Sequence, residues 1–123
     1  MNGRELRRSM EQFWVDVDRQ GEALKDTFYA VERLQSAYND LSPAARQEAD
    51  VVFSEWILGT DQRRGYDARA MVLANNIVSA IPALRELQQR DANSDVPERR
   101  SAAEAAARII EKLTAAAPQG ASP

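Results

Sequence analysis

The side chains of this sequence that could do chemistry are mainly carboxylates. Glu48 and Glu55 are seven residues apart, which places both on one face of a predicted helix, and Asp50 and Asp61 lie near them along the chain. Several carboxylate oxygens together can bind a hard cation, but no Asp-x-Asp-x-Asp loop accompanies these acids. We therefore predict no metal site. The acids form either a docking surface for a basic partner or an ordinary solvated face.

A second group is basic. Arg63, Arg64 and Arg69 fall early in a predicted helix, where they could contact nucleic-acid phosphates. Positive charge is disfavoured near a helix N-terminus, and Asp61 and Asp67 lie close enough to offset it. Local pairing is the simpler explanation in a chain that has no dense basic stripe, so we predict no nucleic-acid partner.

Aromatic residues form the third group. Tyr66 follows the predicted turn at Gly59 and could serve as an apolar contact at the rim of an interface. The other aromatic residues considered fall on predicted inner helix faces and are expected in the core. They are Phe13, Trp14, Phe28, Phe53 and Trp56.

The chain contains no cysteine and no histidine. It therefore has no disulfide, no Cys-based zinc site, no imidazole general base and no Ser-His-Asp or Cys-His unit. Carboxylates, tyrosines or the lysines Lys25 and Lys112 could still act chemically. The missing residue types nevertheless favour a protein that is not an enzyme and binds no cofactor.

The charge distribution indicates what kind of partner such a protein would bind. The net charge of the chain is −3, but residues 16–58 contain nine acidic and four basic residues, which gives −5. This segment repels phosphate and would attract a basic protein, chiefly by increasing the association rate.

The length of 123 residues predicts one domain over residues 1–116, followed by a frayed tail over residues 117–123. The longest apolar run, residues 70–74, is far shorter than the roughly 20 residues of a membrane span. The first residues lack the apolar core of a signal peptide. A cytoplasmic location is the expectation.

Apolar residues at intervals of three and four predict six helices and no strand. Asn2 can cap the first helix, and Gly21 either ends it or lies within a continuous rod. The second helix is predicted over about residues 22–38. Ser42 and Pro43 begin the third helix, Gly59 ends it, Thr60 or Asp61 caps the fourth, and Pro82 and Pro97 open the last two. The predicted inner faces are Leu6, Met10, Phe13, Trp14 and Val17; Leu24, Phe28, Val31, Leu34 and Tyr38; Ala49, Val52, Phe53, Trp56 and Ile57; Tyr66, Ala70, Leu73 and Ile77; Leu84 and Leu87; and Ala102, Ala106, Ile109 and Leu113.

The fourth and sixth stripes match at a constant offset of 36 residues, which is in the range of helical-pair repeats. Residues 81–87, a polar turn and residues 96–106 resemble a HEAT repeat, a family that pairs a Pro-containing helix with an Ala-rich helix. Asp61 and Arg69 occupy roughly corresponding places in the preceding pair. The short connections predict a small all-α bundle in which successive helices are antiparallel neighbours, and the resemblance implies that the helices stack in pairs.

Residues 55–58, 66–70 and 80–87 together are similar to small helical immunity proteins of bacterial toxin systems, which bind and neutralise a toxin domain. We therefore expect a binding protein that occludes a basic toxin domain. The expected contact residues are Asp40, Glu48, Glu55, Asp61 and Tyr66. The alternative is a structural or adaptor subunit that forms a homodimer.

Overall fold

The computed structural model describes the backbone of residues 3–121 and the side chains of residues 3–116. Over this range the chain forms six α-helices and no strand, which confirms the predicted all-α class. The helices are α1 (Gly3–Leu24), α2 (Tyr29–Asn39), α3 (Pro43–Leu58), α4 (Gln62–Ala74), α5 (Ile81–Asp91) and α6 (Pro97–Ala121), and a 3-10 turn, Val78–Ala80, precedes α5.

The chain divides into two compact units, Met1–Val52 (unit 1) and Phe53–Pro123 (unit 2), and the division falls within α3. Unit 1 contains α1, α2 and most of α3. Unit 2 contains the end of α3 and all later helices. The expectation of a single domain over residues 1–116 stays a prediction.

Helix α1 continues through Gly21 and ends at Leu24. The next residue, Lys25, has a φ of 55°, the left-handed conformation that ends many helices. Lys25 N donates to the carbonyl oxygen of Glu22 at 3.1 Å, and Asp26 N donates to that of Gly21 at 2.9 Å. These two bonds make a Schellman motif. The break predicted at Gly21 is therefore displaced by four residues.

The second helix begins at Tyr29, so the predicted start at residue 22 is wrong. Residues 25–28 form the connecting turn, and the helical spacing assumed across it does not apply. Leu24 and Phe28 consequently lie on the surface, with 65% and 66% of their areas exposed, where an inner position was predicted. Phe13 is half-buried, and the proposed cap Asn2 lies outside the described residues.

Helices α1 and α2 pack against each other within unit 1. Helix α2 contributes buried Ala30 and Leu34, while Val31 and Tyr38 are half-buried. The residues of α1 that are buried are Leu6, Trp14, Val17 and Gly21. The apolar stripe predicted for the first helix is largely confirmed.

Helix α3 begins as the sequence predicts. The hydroxyl oxygen of Ser42 accepts a hydrogen bond from Ala45 N at 3.2 Å, and Pro43 is the first helical residue. All five residues of its predicted inner face are buried. Phe53 and Trp56 also meet edge to face, with ring centroids 5.7 Å apart.

Helix α4 buries a different face from the one predicted. Tyr66 is 60% exposed, and Ala70 and Leu73 are half-buried. Ile77 is buried but lies beyond the end of the helix, where Asn76 has a φ of 51°. The buried residues of α4 are Gly65, Asp67, Ala68, Arg69, Met71 and Val72.

Because α4 buries a different face, the predicted match between its stripe and that of α6 at an offset of 36 residues is not a match in burial. Ala68 and Val72 correspond in burial to Ala102 and Ala106, which lie 34 residues later. The resemblance to HEAT repeats is based on residues 81–87 and 96–106, and it stays a prediction.

Helices α5 and α6 pack closely on each other, and α4 also contacts α6. Pro82 lies in the first turn of α5, and Leu84 and Leu87 are buried, as predicted. The four residues of the predicted inner face of α6 are buried as well. Helix α6 continues to Ala121, so its backbone extends into the segment for which a frayed tail was expected.

None of the helices in the described part of the chain combines the length and the apolar character needed to cross a membrane.

Candidate protein-binding surface

Asp61 is the N-cap of α4. Its Oδ1 accepts hydrogen bonds from Arg63 N and Arg64 N, each at 3.1 Å. The capping role predicted for Thr60 or Asp61 therefore belongs to Asp61. Because these N–H groups have no partner within the helix, the carboxylate stabilises the start of α4. A partner that used the same carboxylate would compete with this cap.

Glu48 lies beside the first residue of α1. A Cβ atom placed on Gly3 would be 2.5 Å from Oε2 of Glu48, so a larger residue at this position would displace the carboxylate. The N-terminus of a helix carries partial positive charge, which favours a carboxylate there. Glu48 is exposed, and its carboxylate lies at the start of α1.

Asp40, Glu55 and Tyr66 are exposed on the surface. Asp40 directly follows α2; its backbone N–H donates to the carbonyl oxygen of Ala37 at 3.2 Å, and Leu41 N donates to that of Tyr38 at 3.1 Å. The ring of Tyr66 lies under the guanidinium of Arg69, whose Cζ is 5.7 Å from the ring centroid. A cation above a ring contributes on the order of 0.5–1 kcal/mol at an exposed site. One face of Tyr66 is therefore already in contact with its own helix.

Local pairing was predicted for the arginines that could contact phosphate, and two of them make contacts within unit 2. Arg69 is buried, and its desolvation lowers its pKa, while Tyr66 and Asp67 act in the opposite direction. The guanidinium of Arg64 lies over the ring of Trp56 at 5.2 Å. These two side chains are not arranged as an exposed row of cations.

Besides Asp67, unit 2 buries a second acid, Asp91, which is paired with an arginine. Asp91, at the end of α5, accepts from Nε and Nη2 of Arg90 at 3.2 and 3.1 Å. Nη1 of Arg90 also donates to the carbonyl oxygen of Leu58 at 3.0 Å, which ties α5 to the end of α3. This cluster stabilises the unit and is not a docking group.

Asp50 is bound within unit 1. The hydroxyl of Tyr38 donates to Oδ1 of Asp50 at 2.8 Å. Burial raises the pKa of Asp50, and the hydrogen bond from Tyr38 works in the opposite direction. Burial, the hydrogen bond and the negative charge of Asp50 raise the pKa of Tyr38 to about 12, against a lowering effect of Arg46. Asp50 is therefore a structural acid.

Arg46 completes this contact. Its Nε donates to the carbonyl oxygen of Tyr38 at 3.2 Å, and its Nη2 donates to that of Asn39 at 2.7 Å. The cation therefore satisfies two carbonyls at the end of α2, where positive charge is favoured. Its Cζ also lies 5.8 Å from the centroid of the Tyr38 ring.

The five predicted contact residues are divided between the two units. Asp40 and Glu48 belong to unit 1, and Glu55, Asp61 and Tyr66 belong to unit 2. Within the side chains that the structure describes, no three acidic residues form a group that could bind a metal ion.

The charge of the chain is concentrated in one unit. Residues 1–52 hold ten acidic and seven basic residues, a net charge of −3. Residues 53–123 hold nine of each, a net charge of zero. Unit 1 therefore accounts for the whole net charge of −3.

Two exposed apolar residues of unit 1 were missed by the sequence reasoning. Leu24 and Phe28 were assigned to the core, but they flank the turn between α1 and α2 on the surface. The asparagine- or glycine-type signal that often marks such a turn is absent, because Lys25 occupies the left-handed position.

Comparisons of the chain with protein-family models, curated proteins and solved structures found no match.

Proposed function

We propose that this chain is a binding protein without catalytic activity that occludes a cationic protein domain, as small helical immunity proteins do with toxin domains. The observation that carries the proposal is the concentration of the net negative charge in unit 1. A net negative charge raises the rate of encounter with a positively charged partner and disfavours anionic partners.

Glu32 and Asp40 are the acids best suited to this role. Both are exposed, and within residues 3–116 neither carboxylate makes a hydrogen bond or a salt bridge. Their charge is therefore available to a partner. Asp61 already caps α4, and the carboxylate of Glu48 lies at the start of α1, so these two acids are expected to contribute less.

Occlusion requires only that the complex covers the working surface of the partner. It needs no nucleophile, general base or metal in this chain, which agrees with the absence of cysteine and histidine. The similarity of residues 55–58, 66–70 and 80–87 to immunity proteins supports a bacterial toxin domain as the partner, met in the cytoplasm.

The test uses co-expression with the protein encoded by the gene next to that of this chain. The wild type is compared with Glu32→Lys combined with Asp40→Lys. A matched control, Glu104→Lys with Glu111→Lys, makes the same charge change at two exposed positions of α6 in unit 2.

The proposal predicts that the neighbouring protein is retained by the wild type and by the unit 2 control, and is lost from the unit 1 variant. Retention should weaken as salt rises from about 0.05 M to about 0.5 M, because salt screens exposed charges. Equal retention by all three proteins at both salt concentrations, or retention by none of them, would contradict it.

A further inference from the structure

The turn between α1 and α2 displays two large apolar side chains. Leu24 is 65% exposed and Phe28 is 66% exposed, compared with 55% for Val51 and 41% for Val15 in the same unit. Single exposed apolar residues are common, but two of this size within five residues form a feature that needs a cause.

The turn that carries them is well ordered by its own hydrogen bonds. Beside the Schellman bonds, Oδ1 of Asp26 accepts from Phe28 N at 3.0 Å. The hydroxyl of Tyr29 donates to Oε1 of Gln20 at 2.9 Å, which joins the two helices next to the turn. Leu24 and Phe28 therefore project from a fixed backbone, and little ordering entropy would be lost on binding.

The surroundings of the turn are acidic. Residues 16–33 contain five acidic and three basic residues, a net charge of −2. Arg19 lies 3.6 Å from Asp16, so these two charges offset each other, and Arg33 lies over the ring of Tyr29 at 5.3 Å. The third base, Lys25, is exposed in the turn itself. The segment around the turn (residues 16–33) thus combines two exposed apolar side chains with a net negative charge.

The net negative charge of residues 16–33 favours some binding partners of the turn over others. Nucleic acid and acidic lipid headgroups would be repelled. A second copy of the chain, docked through the same turn about a two-fold axis, would place like charges against each other. A basic protein segment that also carries apolar side chains is complementary to both parts of the surface.

We propose that Leu24 and Phe28 are the apolar anchors of a docking surface on unit 1 that binds a basic, amphipathic segment of a partner protein. This inference rests on the proposed function and moves its centre from the predicted contact residues to the α1–α2 turn. Apolar anchors surrounded by polar groups are typical of the residues that dominate binding energy.

The test measures fluorescence anisotropy with two labelled peptides of equal positive charge. One is an amphipathic helical peptide of leucine and lysine, and the other has serine in place of each leucine. The full-length wild type is compared with Leu24→Ser combined with Phe28→Ser. Val15→Ser with Val51→Ser is the matched control, because it removes two other exposed apolar side chains of unit 1.

The wild type and the control should bind the leucine peptide about tenfold more tightly than the serine peptide, as partial burial of two large side chains provides. The Leu24 and Phe28 variant should bind both peptides equally. Thermal unfolding checks that each variant is folded, and both substituted sites are exposed.

If the wild type binds both peptides equally, and Glu32→Lys with Asp40→Lys weakens both, the anchor proposal fails while the proposed function stands. If neither peptide binds the wild type, both fail. A wild-type dimer in sedimentation that the Leu24 and Phe28 variant converts to monomer would also overturn the proposal, because the occupant would then be a second copy.

Discussion

Gly21 packs closely against Tyr29 at the α1–α2 turn: a Cβ atom on Gly21 would lie 3.2 Å from Cβ of Tyr29. It would also lie 3.2 Å from the carbonyl oxygen of Asp26. The lack of a side chain at residue 21 lets the chain fold back on α1 at this point. The position of Leu24 and Phe28 on the surface depends on this contact.

Gly21→Ala should lower the free energy of unfolding by about 1 kcal/mol. Alanine is favoured in a helix by about 1 kcal/mol, but overpacking against a backbone oxygen and a Cβ costs about 1 to 3 kcal/mol. Gly59→Ala is the control, because its Cβ would meet its nearest neighbour at 3.4 Å, an ordinary contact. Urea unfolding of both variants measures the difference. A Gly21→Ala protein as stable as the wild type would show that the turn can yield.

Lys25→Gly should stabilise the protein by about 0.5 to 1 kcal/mol. Lys25 has a φ of 55°, where a side chain is unfavourable and glycine is not. Lys25→Ala removes the same charge but keeps Cβ, so it should give no such gain. Thermal unfolding of the two variants separates the backbone effect from the charge, and a gain of equal size in both would assign it to charge.

Asp61→Ala should lower the free energy of unfolding by about 1 kcal/mol, because two N–H groups of α4 lose their acceptor. Asp61→Asn keeps an acceptor oxygen and should stay close to the wild type. If the main role of Asp61 were to bind a cationic partner, both variants would lose most of the partner binding, because both remove the negative charge. We expect only a small loss of binding in both.

The hydrogen bond between Tyr38 and Asp50 predicts a pH dependence. The pKa of Tyr38 is raised from 10.0 to about 12, so the folded state favours the protonated phenol. Its contribution to stability is therefore complete below pH 10 and is lost as the pH rises through about 12. Because the pair is only partly buried, the effect should be about 1 kcal/mol or less.

Tyr38→Phe tests this sign. The loss of stability of the wild type relative to the variant should appear between about pH 10 and pH 12. The tyrosinate absorbance that the wild type has and the variant lacks should titrate with a pKa of about 12. Removal of absorbance that titrates near pH 10 would show that the phenol is not held by Asp50.

The helices that the sequence predicted best are those whose buried face is entirely apolar. Helix α3 has a Ser-Pro start and five buried apolar residues at regular spacing, and α6 has a stripe of small and aliphatic residues. In both cases, burial of the stripe outweighs other preferences, so the pattern and the structure agree.

The face of α4 could not be read in this way. Asp67 and Arg69 are buried on it, whereas Tyr66 is exposed. A pattern that assigns charged residues to solvent and aromatic residues to the core selects the wrong side. Buried Arg69 lies over the ring of Tyr66 and is close to the charge of Asp67, but this proximity does not reveal from the sequence which side of α4 is buried.

The candidate surface was predicted in part. The charge asymmetry could be counted from the sequence, but the capping role of Asp61 and the position of Glu48 beside Gly3 depend on where helices begin. The exposure of Leu24 and Phe28 depends on the left-handed conformation of Lys25, which lysine rarely adopts. No local signal identifies it.

The central claim is tested most directly by a titration in which purified chain is added to the protein encoded by the neighbouring gene and the activity of that protein is measured. A binding protein that works by occlusion should abolish the activity at equal molar amounts, and Glu32→Lys with Asp40→Lys should require a large excess. Complete loss at a small fraction of that amount would indicate catalysis by this chain. An unchanged end point and affinity for the variant would contradict the claim that the acids of unit 1 provide the binding surface.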